Sequence, residues 1–210
     1  MRTRSVATPV WVKALVALVV VGGPAWWLAD RHDRRGNERR LAAAIAEIAG
    51  RTVSVECPGP IARVFMSYDT VEGSVRFDAG GRPADATQLR RGPCAELDAL
   101  AEGRRREQLA CAERTPDCGE KVLVLARAVG VVTHEAFHLR GIADEAVTEC
   151  RALQSMAGVA HRLGATPAQA QGLARTQLVQ SYPLMPQRYR TRACRDGGPM
   201  DLRPDDPVWP

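Results

Sequence analysis

Residues 122–139 form an apolar run that ends in the pattern His-Glu-x-x-His. Valine, leucine, alanine and phenylalanine occupy nearly every side of a helix drawn through this run, which is typical of a buried helix. Such a helix must pair the polar atoms of His134, Glu135 and His138 inside the protein. The run therefore predicts a central helix with three buried polar side chains near its C-terminal end.

The spacing of the two histidines favours a metal site. His134 and His138 are four residues apart, so a helix presents both imidazoles on one face, where they can bind one metal ion. Glu135 then lies beside the ion, where its carboxylate can take a proton from a bound water molecule. The pattern predicts Zn²⁺ as cofactor, His134 and His138 as ligands and Glu135 as the catalytic general base.

A catalytic zinc site needs a third protein ligand, and three acids follow the second histidine. Gly141 can end the first helix and Asp144 can cap a second one, which predicts an antiparallel helix hairpin. Counted back from the turn, Glu149 lies level with the gap between the two histidines and is the preferred third ligand. Glu145, about one turn short of that level, and Asp144, in the loop, stay open as alternatives.

Residues 122–163 resemble the zincin metallopeptidases, and most of all the gluzincins, in which a glutamate on the next helix follows His-Glu-x-x-His. This resemblance implies a zinc-dependent peptide hydrolase with Glu149 as third ligand. Two other alignments remain. The segment from Asp144 to Glu149 is similar to the thermolysin-type Asn-Glu-Ala-x-x-Asp, which implies Glu145 as ligand and Glu149 as its support. The metzincin-like spacing His-Glu-x-x-His-x-x-Gly-x-x-Asp implies Asp144.

The N-terminal residues 1–30 are predicted to be a membrane anchor. The apolar run over residues 10–29 is long enough to span a bilayer, and two tryptophans at its end suit the membrane interface. A cleaved signal peptide is the alternative, with residues 23–25 as the cleavage site. Residues 31–50 are predicted to form a juxtamembrane helix or stalk.

Two features of the sequence disagree about which side of the membrane the domain occupies. Arginines that follow the anchor favour the cytoplasm by the positive-inside rule. An even number of cysteines in an exported domain predicts disulfides, and all six lie after the anchor: Cys57, Cys94, Cys111, Cys118, Cys150 and Cys194. The cysteines favour a single-pass cell-membrane protein with an extracytoplasmic C-terminal domain. A cytosol-facing protein with six reduced thiols is the alternative.

Residues 51–195 are predicted to form one domain of α+β class, mainly helical, with a small antiparallel sheet before the metal-binding hairpin. Expected strands, rich in β-branched and aromatic residues, cover residues 52–55, 61–68 and 71–77. Residues 79–93 are expected to be a loop. Expected helices cover residues 94–113 with an interruption near Gly103, 145–163 and 167–180, and the tail, residues 196–210, is expected to be irregular.

Three further polar residues are weaker candidates near the metal ion. His161 could stabilise an oxyanion, as a histidine does in thermolysin-like enzymes, and the hydroxyl of Tyr182 or Tyr189 could approach the metal. The net charge of +5 comes mainly from arginines scattered among acids. Without a basic stripe interleaved with aromatic residues, nucleic acid is not a predicted partner. The predicted partners are a peptide or protein substrate and the membrane.

Together these observations predict a membrane-anchored zinc metallopeptidase that hydrolyses peptide bonds with a metal-activated water and Glu135 as general base. The alternative is a non-catalytic envelope protein whose metal- or disulfide-braced domain binds a partner. That alternative predicts a closed site with four protein ligands and no effect of Glu135→Gln on function.

Overall fold

A computed structural model of the chain describes residues 23–59 and 72–210. The expected strand over residues 61–68 and most of the expected anchor lie outside the described residues. The chain divides into two compact units according to the contacts between its residues. Residues 23–36 are the described part of the first unit, and Asn37–Pro210 form the second. The second unit contains all of the predicted site residues.

Helix α1 runs from Gly23 to Ala49. Within the second unit, Leu41, Ile45 and Ile48 recur at the three- and four-residue spacing of one helix face and are buried in the core. A stalk was expected as far as residue 50, but this part of the helix packs as core. The helix ends at Ala49, and the next residue, Gly50, has a positive φ of 71°, a conformation that glycine adopts readily.

The sheet has three strands: β1, Ser54–Glu56; β2, Gly73–Phe77; and β3, Pro83–Leu89. Their order is β1-β3-β2, so β3 is central. It pairs in parallel with β1 and antiparallel with β2. The sheet is therefore mixed, and the expected antiparallel arrangement holds for only one of its two pairings.

Strand β3 lies where the sequence predicted a loop over residues 79–93, and that prediction was wrong. Its sequence, Pro-Ala-Asp-Ala-Thr-Gln-Leu, has one β-branched residue, so local propensity does not favour a strand. Its position between β1 and β2, with both of which it pairs, favours a strand instead. Thr87 is fully buried there, and its hydroxyl donates a hydrogen bond to the carbonyl of Ser74, at 3.1 Å.

Helices make up most of the described second unit, which confirms the predicted α+β, mainly helical class. They are α2, Arg91–Ala101; α3, Arg106–Arg114; α4, Glu120–Leu139; α5, Glu145–Arg162; and α6, Pro167–Thr176. A π-helical turn, Gln177–Ser181, and two 3₁₀ turns, Tyr182–Leu184 and Gln187–Tyr189, follow α6. The tail after residue 196 is irregular, as expected.

Helix α4 is the centre of the unit. It packs against α2, α5, α6 and the sheet, and its side chains Leu125, Val129 and Val132 are fully buried. Among the described residues it is also the one helix with the length and hydropathy of a membrane span, but most of that length is buried in the core. Its apolar character is accounted for by its central position.

Helices α4 and α5 form the predicted hairpin. Gly141 adopts a φ of 98°, and the next amide, of Ile142, bonds to the carbonyl of Phe137 at 3.1 Å, which closes the end of α4. Asp144 caps α5 by accepting a hydrogen bond from the amide of Val147 at 2.8 Å. The short turn brings the first residues of α5 beside the last residues of α4.

All six cysteines are paired, which confirms the disulfide prediction. The pairs are Cys57–Cys94, Cys111–Cys118 and Cys150–Cys194. The last pair joins α5, one residue after Glu149, to the segment that follows the 3₁₀ turns. The two long loops, of 37 and 44 residues, each contribute roughly 4 kcal/mol by loop-closure entropy.

Candidate metal centre

The Nε2 atoms of His134 and His138 face each other at 2.9 Å. Each ring is held from its other side. Nδ1 of His138 donates to the carbonyl of Ile142 at 2.6 Å, and Nδ1 of His134 lies 2.8 Å from the carboxylate of Glu149. Since each Nδ1 is engaged, Nε2 is the nitrogen that each ring offers to a metal ion.

Glu145 completes this group. Its Oε2 lies 3.0 Å from Nε2 of His134 and 3.3 Å from Nε2 of His138. The three ligand atoms all lie within 4.8 Å of one another. Two imidazoles and one carboxylate, with their ligand atoms this close together, form a group that could hold a metal ion.

The position of Glu149 differs from the preferred sequence assignment. Its carboxylate lies against Nδ1 of His134, on the side of the ring away from Nε2, so it supports a histidine instead of joining the three converging atoms. Of the three acids considered, Glu145 is the one that reaches both Nε2 atoms. Asp144 caps α5 instead.

The hairpin geometry explains this outcome. Glu145 is the first residue of α5, and side chains on a helix lean towards its N-terminus, so its carboxylate reaches back over the turn to the histidines. Glu149 lies one turn further along α5, level with the ring of His134, and meets the nearer nitrogen. Residue counting correctly located Glu149 beside His134 along the hairpin. It could not show that the carboxylate contacts Nδ1 of His134 and not Nε2.

The charges of these groups are coupled. Burial favours the neutral imidazole of His134, but Glu145 and Glu149 outweigh it and raise its pKa to about 9. Burial and the charge on His134 lower the pKa of His138. The hydrogen bond to His134 lowers the pKa of Glu145 against the opposing effect of burial. The metal-free site therefore holds one extra proton, on His134, at the place where a metal ion would bind.

Glu135 is only 4% exposed, and its Oε2 atom has no hydrogen-bond partner among the described residues, although the Thr87 side chain is hydrogen-bonded to the carboxyl. Burial raises its pKa to about 7, although the charge of His134 acts in the opposite direction. Gly73, the first residue of β2, covers this carboxylate: a Cβ atom there would lie 2.8 Å from Oε1 of Glu135. A buried carboxyl with one unpartnered oxygen and a pKa near neutrality suits a general base.

A cleft of about 490 Å³ opens beside this carboxyl, between α4 and the turns that follow α6. His134, Glu135 and Glu149 line one part of it. The wall opposite comes from the π-helical and 3₁₀ turns, including Gln177, Ser181 and Tyr189. The site thus combines a candidate metal position with a space for a ligand.

The three weaker sequence candidates lie at different distances from the centre. The ring of Tyr189 is 5.8 Å from that of His134, between centroids, and lines the cleft. The hydroxyl of Tyr182 is engaged with the backbone of Thr191, at 3.0 Å from its amide nitrogen. His161 is exposed at the end of α5, where Nδ1 contacts the carbonyl of Ala165.

Sequence reasoning missed other residues of the cleft: Gly73, Arg127, Gln177 and Ser181. For Arg127 a signal existed, since it precedes His134 by seven residues and so lies on the same helix face. Gln177 and Ser181 gave no signal, because their position depends on how α6 and the turns after it pack on α4.

The residues present fit a metal ion. The Nε2 atoms of His134 and His138 and the carboxylate of Glu145 lie within 4.8 Å of one another, and a metal ion between them would satisfy all three groups. The chain matches no protein-family model, no curated protein and no solved structure.

Proposed function

We propose that the protein is a zinc-dependent metallopeptidase of the zincin type. His134, His138 and Glu145 are the ligands in this proposal, and Glu135 is the general base. The observation that carries it is the convergence of two Nε2 atoms and one carboxylate next to the buried Glu135, one of whose oxygens has no hydrogen-bond partner among the described residues. Three protein ligands leave a coordination position open, as catalytic zinc sites do.

Zinc, when bound there, would supply Lewis acidity that polarises a substrate carbonyl and acidifies a water molecule. In this proposal the proton of the water molecule is transferred by a side chain of the protein. Glu135 takes it from the water and returns it to the leaving amine, and a pKa of about 7 in the metal-free protein suits both transfers. Glu149 keeps His134 in the tautomer that leaves Nε2 free.

Strand β2 is suited to align an extended substrate. It lies at one end of the strand order and pairs with β3 alone among the described strands. Its first residue, Gly73, lies against Glu135, so a peptide added along this edge would pass the general base. Backbone pairing of this kind binds a peptide without dependence on its side chains.

The non-catalytic alternative is less well supported. A metal that only braces a domain has no need of a buried carboxyl beside it, and burial of an unpaired oxygen costs free energy. The Oε2 atom of Glu135, which has no hydrogen-bond partner among the described residues, is the observation that favours chemistry over bracing.

We further propose that the domain is extracytoplasmic and anchored by its N-terminal segment. Three disulfides support an oxidising compartment, because cytosolic thiols are kept reduced.

A cleavage assay tests the activity. Zinc-loaded full-length protein is incubated with a library of quenched fluorescent decapeptides, with and without a chelator. We expect cleavage that the chelator abolishes and added zinc restores. Glu135→Gln should lower the rate by roughly 10²- to 10⁴-fold, while the control Glu113→Gln, an exposed residue on α3, should not. Cleavage by Glu135→Gln at the wild-type rate would show that Glu135 is not the general base.

A further inference from the structure

The cleft contains a half-buried arginine that has no acidic partner among residues 23–59 and 72–210. Arg127 projects from α4 into the cleft. Its one hydrogen bond within the described part of the chain goes from Nε to the hydroxyl oxygen of Ser181, at 3.3 Å. A guanidinium that is partly removed from water favours a carboxylate or phosphate partner, and none of the described residues forms an ion pair with Arg127.

A second unpaired group lies in the same cleft. Gln177 is 2% exposed, and its Oε1 atom has no hydrogen-bond partner. Gly130 of α4 makes room for this amide, since a Cβ atom at Gly130 would lie 3.1 Å from Nε2 of Gln177. Buried amides normally have partners in the protein. This residue lines the cleft, and its Oε1 atom is the one without a partner among the described residues.

The π-helical turn joins these residues into one polar group. Gln177 and Ser181 are its first and last residues, and both line the cleft opposite Arg127. Turns of this kind are rare in proteins and frequent at functional sites. Arg127, Gln177 and Ser181, called the polar subsite below, offer a guanidinium, an amide and a hydroxyl to one ligand group.

The polar subsite lies away from the candidate metal. Arg127 precedes His134 by seven residues on the same helix, which corresponds to about 10 Å along its axis. Glu135 and Glu149 lie at the His134 end, so negative charge on a ligand is disfavoured there and favoured at Arg127. An extended peptide covers this separation with roughly three residues.

We propose that the polar subsite binds a carboxylate of the peptide substrate, about three residues from the bond that is cleaved. Arg127 and Ser181 bind the carboxylate, and the Gln177 amide accepts a hydrogen bond from a neighbouring peptide N–H. The inference rests on the proposed peptidase function for its substrate class. The carboxylate comes either from an acidic side chain or from the C-terminus of a peptide.

Binding to the full-length, zinc-loaded Glu135→Gln protein tests this. The probes are three sets of fluorescein-labelled decapeptides, measured by anisotropy. One set carries a single glutamate, scanned along an otherwise acid-free peptide with an amidated C-terminus. The second lacks acidic side chains but has a free C-terminal carboxylate. The third lacks both.

We expect the first or the second set to bind roughly 10- to 100-fold more tightly than the third, as for a charge-assisted hydrogen bond. A preference for the first set identifies a side-chain carboxylate, and one for the second a C-terminal carboxylate. Arg127→Gln should remove the preference and Arg127→Lys should keep part of it. The control Arg175→Gln removes the same charge from α6 outside the cleft and should keep all of it.

Equal binding of all three sets would overturn the carboxylate inference and leave the peptidase proposal standing. Acid-selective binding that depends on Arg127, together with no cleavage by the zinc-loaded wild type, would overturn the peptidase proposal and keep the subsite. No binding of any set would overturn both.

Discussion

The carboxylate of Glu149 lies 2.8 Å from Nδ1 of His134 and leaves Nε2 as the nitrogen that faces His138. A carboxylate in this position fixes the tautomer and the orientation of an imidazole that binds a metal. Glu145, not Glu149, then lies with the two free nitrogens. Substitution of the two glutamates should therefore have different consequences.

Glu149→Gln should weaken zinc binding by roughly 10- to 100-fold, because an amide oxygen still accepts the Nδ1 proton but without charge. Glu145→Gln should weaken it by more than about 100-fold, since it removes a charged ligand. Competition with a chromophoric zinc chelator measures both.

Asp144→Asn is the matched control, because asparagine also caps a helix and Asp144 is exposed. Its zinc affinity should equal that of the wild type. The ligand assignment is wrong if Glu145→Gln retains wild-type affinity and Glu149→Gln does not.

Glu135→Gln should make the metal-free chain more stable at pH 8. Burial raises the pKa of Glu135 from 4.5 to about 7. The folded state therefore favours the protonated carboxyl, so this stability is present below pH 4.5 and lost as the pH rises through about 7. Above that pH the wild type has a buried charge and the glutamine variant does not.

The gain in the free energy of unfolding at pH 8 should reach up to roughly 3 kcal/mol and disappear at pH 4. Urea unfolding in the presence of a chelator measures it at both values. The account of Glu135 as a strained functional carboxyl fails if the variant is less stable than the wild type at pH 8.

Gly73→Ala should distort the general base. The added Cβ would lie 2.8 Å from Oε1 of Glu135 and 2.9 Å from Cγ1 of Val131, so these side chains must shift to make room for it. We expect a loss of roughly 1–3 kcal/mol in stability and a lower cleavage rate with zinc content unchanged.

Gly92→Ala is the control for this substitution, because a Cβ atom at Gly92 meets no atom within 4 Å. It should leave the cleavage rate unchanged and raise stability by roughly 0.5–1 kcal/mol. Equal cleavage rates for the two variants would show that the contact between Gly73 and Glu135 does not affect the general base.

Zinc affinity should rise with pH. The pKa of His134 is raised to about 9 in the metal-free site, so between pH 6 and pH 8 a metal ion must displace its proton. The logarithm of the association constant should increase by about one for each pH unit in this range and level off above about pH 9. A pH-independent affinity from isothermal titration would contradict a protonated His134 in the metal-free site.

The three disulfides should leave no free thiol in the unfolded, unreduced protein. Removal of the pair Cys150–Cys194 by double substitution to alanine should cost roughly 4 kcal/mol, since it closes a loop of 44 residues. It should also lower substrate affinity, because this pair holds the segment after the cleft wall against α5. Six reactive thiols in protein isolated without reductant would instead favour the cytosol-facing alternative.

The sequence predicts the helices of the site well, because each has its own periodicity and end signals. His134, Glu135 and His138 follow from one helix, and the hairpin follows from Gly141 and Asp144. Strand β3 could not be predicted, since it has few β-branched residues and is a strand by virtue of its neighbours.

Which acid reaches both Nε2 atoms could not be predicted, because that depends on the direction of side chains across a turn. Residue counting locates Cα atoms, whereas the choice between Glu145 and Glu149 depends on which ring nitrogen each carboxylate meets. Gln177 and Ser181 reach the cleft only through the packing of α6 and the π-helical turn on α4. Such placements arise from tertiary structure.

The most direct measurement is the zinc content of the purified full-length protein beside that of His138→Ala, by mass spectrometry of the metal. Three converging ligand atoms predict about one zinc ion per chain in the wild type and none in the variant. A wild type that takes up no zinc after it is added back, or a His138→Ala variant that retains zinc, would contradict the metal site on which the proposed function depends.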